Sequence, residues 1–158
     1  MKLVLSAALA TATLALALPA SVAVAQDAHT IVAPDQIKWG PAPDVLPPGA
    51  EAAVLFGDPS KEGLFALRVK LPAGYAIPPH THPTIEAVTV ISGAFKLGMG
   101  EVADPSAAET LPAGSFFALP ADNPHFASVD EETIVQISTT GPWGLTYVNP
   151  ADDPRKTQ

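Results

Sequence analysis

Residues 74–93 read GYAIPPHTHPTIEAVTVISG. His80 and His82 stand two apart, and in an extended chain that spacing puts both imidazoles on one face. The segment has to be extended, because Pro78, Pro79 and Pro83 fix their own φ and push the residues before them away from helical geometry. Glu86 follows four residues after His82, and an even spacing returns its carboxylate to the same face. Glu86, Val88 and Val90 then share parity, with the run closed by Gly93. The stretch therefore reads as a stiff pair of imidazoles and a carboxylate leading into a β-strand.

The surroundings carry the same signal. From Ala52 to Val148 short apolar or alternating runs are separated by Gly, Pro, Asp and Asn, with no long helical period, which means an all-β domain. The clearest run is Leu64–Leu71, where Phe65, Leu67, Val69 and Leu71 share one face and Arg68 and Lys70 lie on the other. Further strands are predicted at 53–56, 85–91, 94–99, 115–119, 126–129, 133–138 and 145–148, and their regular spacing suggests a sandwich or barrel. Residues 101–110 are small and polar and read as a loop or hairpin tip.

Two imidazoles and a carboxylate suit a divalent transition ion, with Fe, Mn, Zn, Ni and Cu all open. Of four histidines in the chain, His125 is the candidate for a further ligand, because it follows the turn Pro120–Pro124 and opens the next strand. His29 reads as a surface histidine.

At this point the residues resemble a known family. Gly74, His80, His82, Glu86 and Gly93 match the first cupin motif at every spacing. Gly114, Pro120 and His125 match the second, which departs at Asp122, where glycine is usual, and at Val129, where asparagine is usual. Asp tolerates the left-handed turn conformation better than most residues. The resemblance covers roughly residues 50–150. It implies a double-stranded β-helix, a jelly-roll barrel, holding one metal ion inside through His80, His82, Glu86 and His125. Glu86, Val88, Val90, Ala127 and Val129 should then face an apolar interior; Phe95, Leu97, Met99, Phe116 and Phe126 line it or pack around it. The segments 57–61 and 141–150 are similar to exported bacterial single-domain cupins.

The remaining sequence sets the context. Met1-Lys2, an apolar run to Leu18, Pro19 and the ending Ala23-Val24-Ala25 have the parts of a secretory signal, giving an expected signal peptide at 1–25 and a periplasmic or secreted product. Residues 26–50 form a proline-rich arm whose Trp39 is expected to dock on the barrel or on a second subunit. The barrel spans 51–150 and a tail 151–158. No cysteine occurs, so disulfides and thiolate ligands are excluded. The formal charge of −8 becomes −9 without Lys2, and no basic cluster is left for nucleic acid or an anionic membrane. The expected partner is a small molecule, and the family resemblance implies a homodimer.

The resemblance implies a metal-dependent oxidoreductase of dioxygenase type, with Glu86 as ligand or proton acceptor. A thiol dioxygenase fits less well, since that relative typically lacks the glutamate. A non-catalytic ligand-binding or sensing protein is the alternative, with the metal structural or orienting. An isomerase or lyase would need a second acid or base, for which Glu101, Asp122 and Tyr147 are the candidates.

Overall fold

The structure, a computed structural model, describes residues 29–156. The expected signal peptide at 1–25 lies outside the described residues. Eleven strands, numbered in chain order, build two antiparallel sheets. They are β1 (Gly40–Pro41), β2 (Glu51–Phe56), β3 (Gly63–Leu71), β4 (Ala76–Thr81), β5 (Glu86–Ser92), β6 (Ala94–Met99), β7 (Glu109–Pro112), β8 (Phe116–Leu119), β9 (His125–Ser128), β10 (Thr133–Gly141) and β11 (Thr146–Tyr147). One sheet runs β1-β2-β3-β10-β5-β8 and the other β11-β4-β9-β6-β7. Helical structure among the described residues is limited to four three-residue 3-10 turns. Two facing sheets with this interleaved order make a jelly-roll barrel.

The alternation read in residues 64–71 explains the central ladder. β3 pairs with β10 without interruption, from Leu71 opposite Thr133 to Gly63 opposite Gly141. Phe65, Leu67, Val69 and Leu71 are all buried, and across the ladder Val135 and Ile137 are buried beside Val69 and Leu67. Each such side chain contributes about 1.5–3 kcal/mol by leaving water. Val88, Val90, Phe95 and Ala127 close the core from β5, β6 and β9, with Val129 just after β9. The arm contributes as well: Val45, Leu46 and Ala50 are buried in this core, and Trp39 is half-buried with the Lys70 ammonium 4.7 Å from its ring centroid.

Two motif positions show why their residues are needed. Gly93 has φ +75°, and a Cβ there would lie 2.5 Å from Thr133 Oγ1 and 2.6 Å from the Glu132 carbonyl oxygen, so the turn into β6 takes glycine for both conformation and space. Asp122 does adopt the left-handed conformation, at φ 58°, and its N–H donates to the His82 carbonyl at 2.9 Å. That bond fastens the turn before His125 to the segment bearing His82. Val129, in place of the usual asparagine, is buried in the core, and its backbone bonds to Tyr75 and Gly74.

Besides the two-residue β1 inside the proline-rich arm, two longer strands differ from the sequence expectation. β4 forms despite Pro78 and Pro79, because both fall where the β4–β9 pairing shifts register, between Ile77 and His80; a bulge tolerates residues that donate no hydrogen bond. β7 occupies the end of the segment read as a loop, pairing along β6 from Leu97 opposite Glu109 to Ala94 opposite Pro112. It is an edge strand, and its composition carries no alternating core signal.

Candidate metal centre

Strand register brings the histidines together. His80 near the end of β4 is paired with His125 at the start of β9 on one side and with Tyr147 of β11 on the other. His82 lies just beyond β4, and Glu86 opens β5 opposite Leu119 of β8. All four expected ligands are buried, with His80 and His82 each only 2% exposed and Glu86 6%. The ring centroids of the three histidines lie 4.2–5.2 Å apart, and one ring nitrogen from each falls within 4.8 Å of the others, an arrangement that can hold a metal ion.

The tautomers follow from the backbone. Nδ1 of His80, His82 and His125 lies 2.7 Å from the Pro78 carbonyl oxygen, 2.8 Å from that of Gly144 and 3.0 Å from that of Asn123, respectively. A carbonyl can only accept, so each Nδ1 carries the proton and each neutral ring presents Nε2 as a lone pair. Burial favours the neutral form of His80 and His82. It is the largest influence pushing His80 down to about 3, with His125 and His82 adding to it, and it also lowers His82 against the opposing pull of Glu86.

The carboxylate then meets lone pairs rather than donors. Glu86 Oε1 is 3.3 Å from His82 Nε2 and Oε2 is 3.3 Å from His125 Nε2. His82 Nε2 has no hydrogen-bond partner, although it is buried. Acceptors facing acceptors in an apolar interior are costly unless a cation joins them. The donor chemistry of His80, His82, His125 and Glu86 therefore fits a divalent transition ion, and backbone bonds to every Nδ1 orient the rings for it.

These groups line a cavity of about 40 Å³ whose other walls are apolar, including Leu46, Ile77, Phe95, Phe117 and Leu145, and one indole, Trp143. Phe95 stacks on Phe117 at a centroid distance of 5.7 Å. Of the side chains expected to line or surround the interior, Met99 and Phe116 are instead 50% and 64% exposed, and Phe126 packs over Gly98. Phe117 takes the inward position because it pairs with Val88, and paired residues point to the same face. Trp143 was not singled out by the sequence. It stacks on the His82 ring, 5.6 Å away and 20° from parallel, while the next residue, Gly144, fixes His82 Nδ1. Glu101 and Asp122 are exposed, and the Tyr147 hydroxyl donates to the Val45 carbonyl at 2.8 Å. His29 is exposed and far in sequence from this group.

A jelly-roll barrel with histidines from β4 and β9 grouped around a glutamate from β5 defines a cupin. Within that class, the chain belongs to the family described as Domain of unknown function (DUF4437), whose profile matches residues 17–145. Among solved structures it is similar to an RmlC-like cupin from Shewanella frigidimarina NCIMB 400, at 17% identity and a TM-score of 0.53 over 69% of this chain and 87% of that one. It is similar also to the polyketide cyclase RemF from Streptomyces resistomycificus, at 17% identity and TM-score 0.64 over 81% and 91% of the two chains. A third is a proposed acetylacetone dioxygenase from Methylibium petroleiphilum PM1, at 23% identity and TM-score 0.61 over 80% and 85%. At these identities the likeness is one of fold. No curated protein matches the sequence.

Proposed function

We propose that this chain is a metal-dependent oxidoreductase of the dioxygenase type, acting on a small, partly apolar molecule at one divalent transition ion held by His80, His82, His125 and Glu86. The observation that supports the reading is the lining of the cavity. Apart from these four residues and the Trp143 indole, every wall is apolar, so an isomerase or lyase has no second acid or base there to work with. A bound ion supplies Lewis acidity and, where it is redox-active, a place to activate oxygen. The chain's own part is to hold three Nε2 lone pairs in fixed directions, to keep bulk water out with Phe95, Phe117 and Leu145, and to offer Glu86 as ligand or proton acceptor. A structural likeness to a proposed acetylacetone dioxygenase agrees with this reading.

A second reading, a binding or sensing protein in which the metal orients a ligand or ties the barrel together, is favoured by the cavity's size. About 40 Å³ accommodates one or two water-sized groups, well below the several hundred Å³ usual for a whole organic substrate. In either case we take the mature chain to be exported by its N-terminal apolar run and to form a homodimer.

The test is to purify the protein without chelators and determine bound metal by mass spectrometry, beside Glu86→Ala. About one ion per chain is expected, lost or much reduced in the variant. Iron, manganese, copper or nickel with oxygen uptake on small-molecule screens supports the oxidoreductase, and zinc without uptake supports the second reading. A well-folded protein with no metal affinity overturns both.

A further inference from the structure

Among the described residues, two buried side-chain polar atoms have no hydrogen-bond partner: His82 Nε2 and Trp143 Nε1. They belong to rings stacked on each other, and both rings line the same cavity. One is an acceptor and the other a donor. A lone pair left without a partner beside a carboxylate calls for a cation; an N–H left without one beside it calls for an acceptor. The cavity lining holds no other side-chain donor, since the imidazole N–H groups are all committed to backbone carbonyls.

Charge narrows the acceptor. Three neutral imidazoles and one carboxylate leave a divalent ion with one uncompensated positive charge inside apolar walls, where an isolated charge is costly. A monoanion removes it. The small volume admits the head of such a ligand: a carboxylate or an enolate, with any larger portion lying outside.

The geometry points to Trp143 as the positioning residue of this centre, its indole N–H donating to an oxygen of a small monoanionic ligand, a carboxylate or enolate, bound beside the ion. The inference rests on the metal reading above and goes beyond it by naming the ligand's charge, its acceptor atom and the residue that orients it. Stacking on His82, itself fixed through Nδ1 to the Gly144 carbonyl, ties ligand orientation to a metal-facing ring through the one loop 141–145.

The experiment uses zinc-loaded protein on a Trp39→Phe background, leaving Trp143 as the sole indole, and formate as probe. Formate binding is measured by titration calorimetry with and without Trp143→Phe, which keeps an aromatic ring against His82. Zinc content is measured in both proteins. Loss of one hydrogen bond to a charged acceptor predicts a tenfold or greater weakening of formate, at unchanged zinc content. The Trp143 indole N–H proton resonance should move downfield as formate binds, a response that packing alone does not give. Equal formate affinity in the two proteins, an indole resonance that stays put while formate binds, or zinc-loaded protein that takes no formate, overturns the role of Trp143 and leaves the metal site standing. Failure to take up zinc or any other divalent transition ion overturns the site itself. If Trp143→Phe does not fold, the resonance still decides.

Discussion

His80 is held from three directions: its Nδ1 by the Pro78 carbonyl, and its strand by His125 on one side and Tyr147 on the other. Replacing it by alanine removes one Nε2 and leaves both neighbouring strands paired through their backbones. His80→Ala is expected to weaken metal binding at least about a hundredfold, a greater loss than removing an outer hydrogen-bond partner causes, with the β-sheet circular dichroism retained. Competition with a metallochromic chelator measures it, and unchanged affinity would remove His80 from the site. At this scale the directions of His80, His82 and Glu86 were legible in their parity and in the prolines around them, whereas His125 was marked by the turn before it and by the second family motif. It was silent about Trp143. That ring reaches His82 through the path of loop 141–145, which no local periodicity encodes.

Strands were legible where one face is buried and the other wet, as in β3, and less so where that contrast fails. β4 is interrupted by two prolines at a register shift, and β7 is a short edge strand with partly and fully exposed residues. Adjacent Phe116 and Phe117 could be told apart only by their partners on β5. The β6–β9 pair offers a sharper test of element packing. Gly98 lies opposite Phe126, and a Cβ at Gly98 would come 2.0 Å from Phe126 Cζ. Gly98→Ala should therefore destabilise by about 1–3 kcal/mol. Combined with Phe126→Leu, the cost should fall short of the sum of the single variants, since the ring that is struck has gone. Urea denaturation of the two single variants and the double checks this, and strict additivity would mean that the two residues do not collide.

For the molecule as a whole, a histidine buried in neutral form makes stability depend on pH. In the unfolded chain His80 titrates near its ordinary 6.5, whereas burial pushes it down to about 3 in the folded state. Between those values the unfolded chain binds more protons, so stability is fully present above about 6.5 and is lost as pH falls towards 3. His82 shifts in the same direction and adds to the loss. Metal-free protein is expected to lose roughly 3 kcal/mol from His80 alone between pH 7 and pH 4. Urea midpoints in the presence of a chelator measure the slope, which His80→Ala should flatten. A wild-type profile that is level across this range would contradict a neutral, buried His80.

The β3–β10 ladder also governs when such a molecule comes into being. Residues 63–71 pair with the nearby β2 on one side but with residues 133–141 on the other, so most of the chain has to be synthesised before the central ladder can close. Contacts so far apart in sequence close slowly, because the intervening loop must give up its freedom first. Until then Leu67 and Val69 lack their β10 neighbours Ile137 and Val135, and the growing polypeptide carries His80 without His125 across from it. Closure of the barrel thus waits on residues 133–141, so the β2–β3 pair is available well before the β3–β10 ladder that completes the sheet around the core.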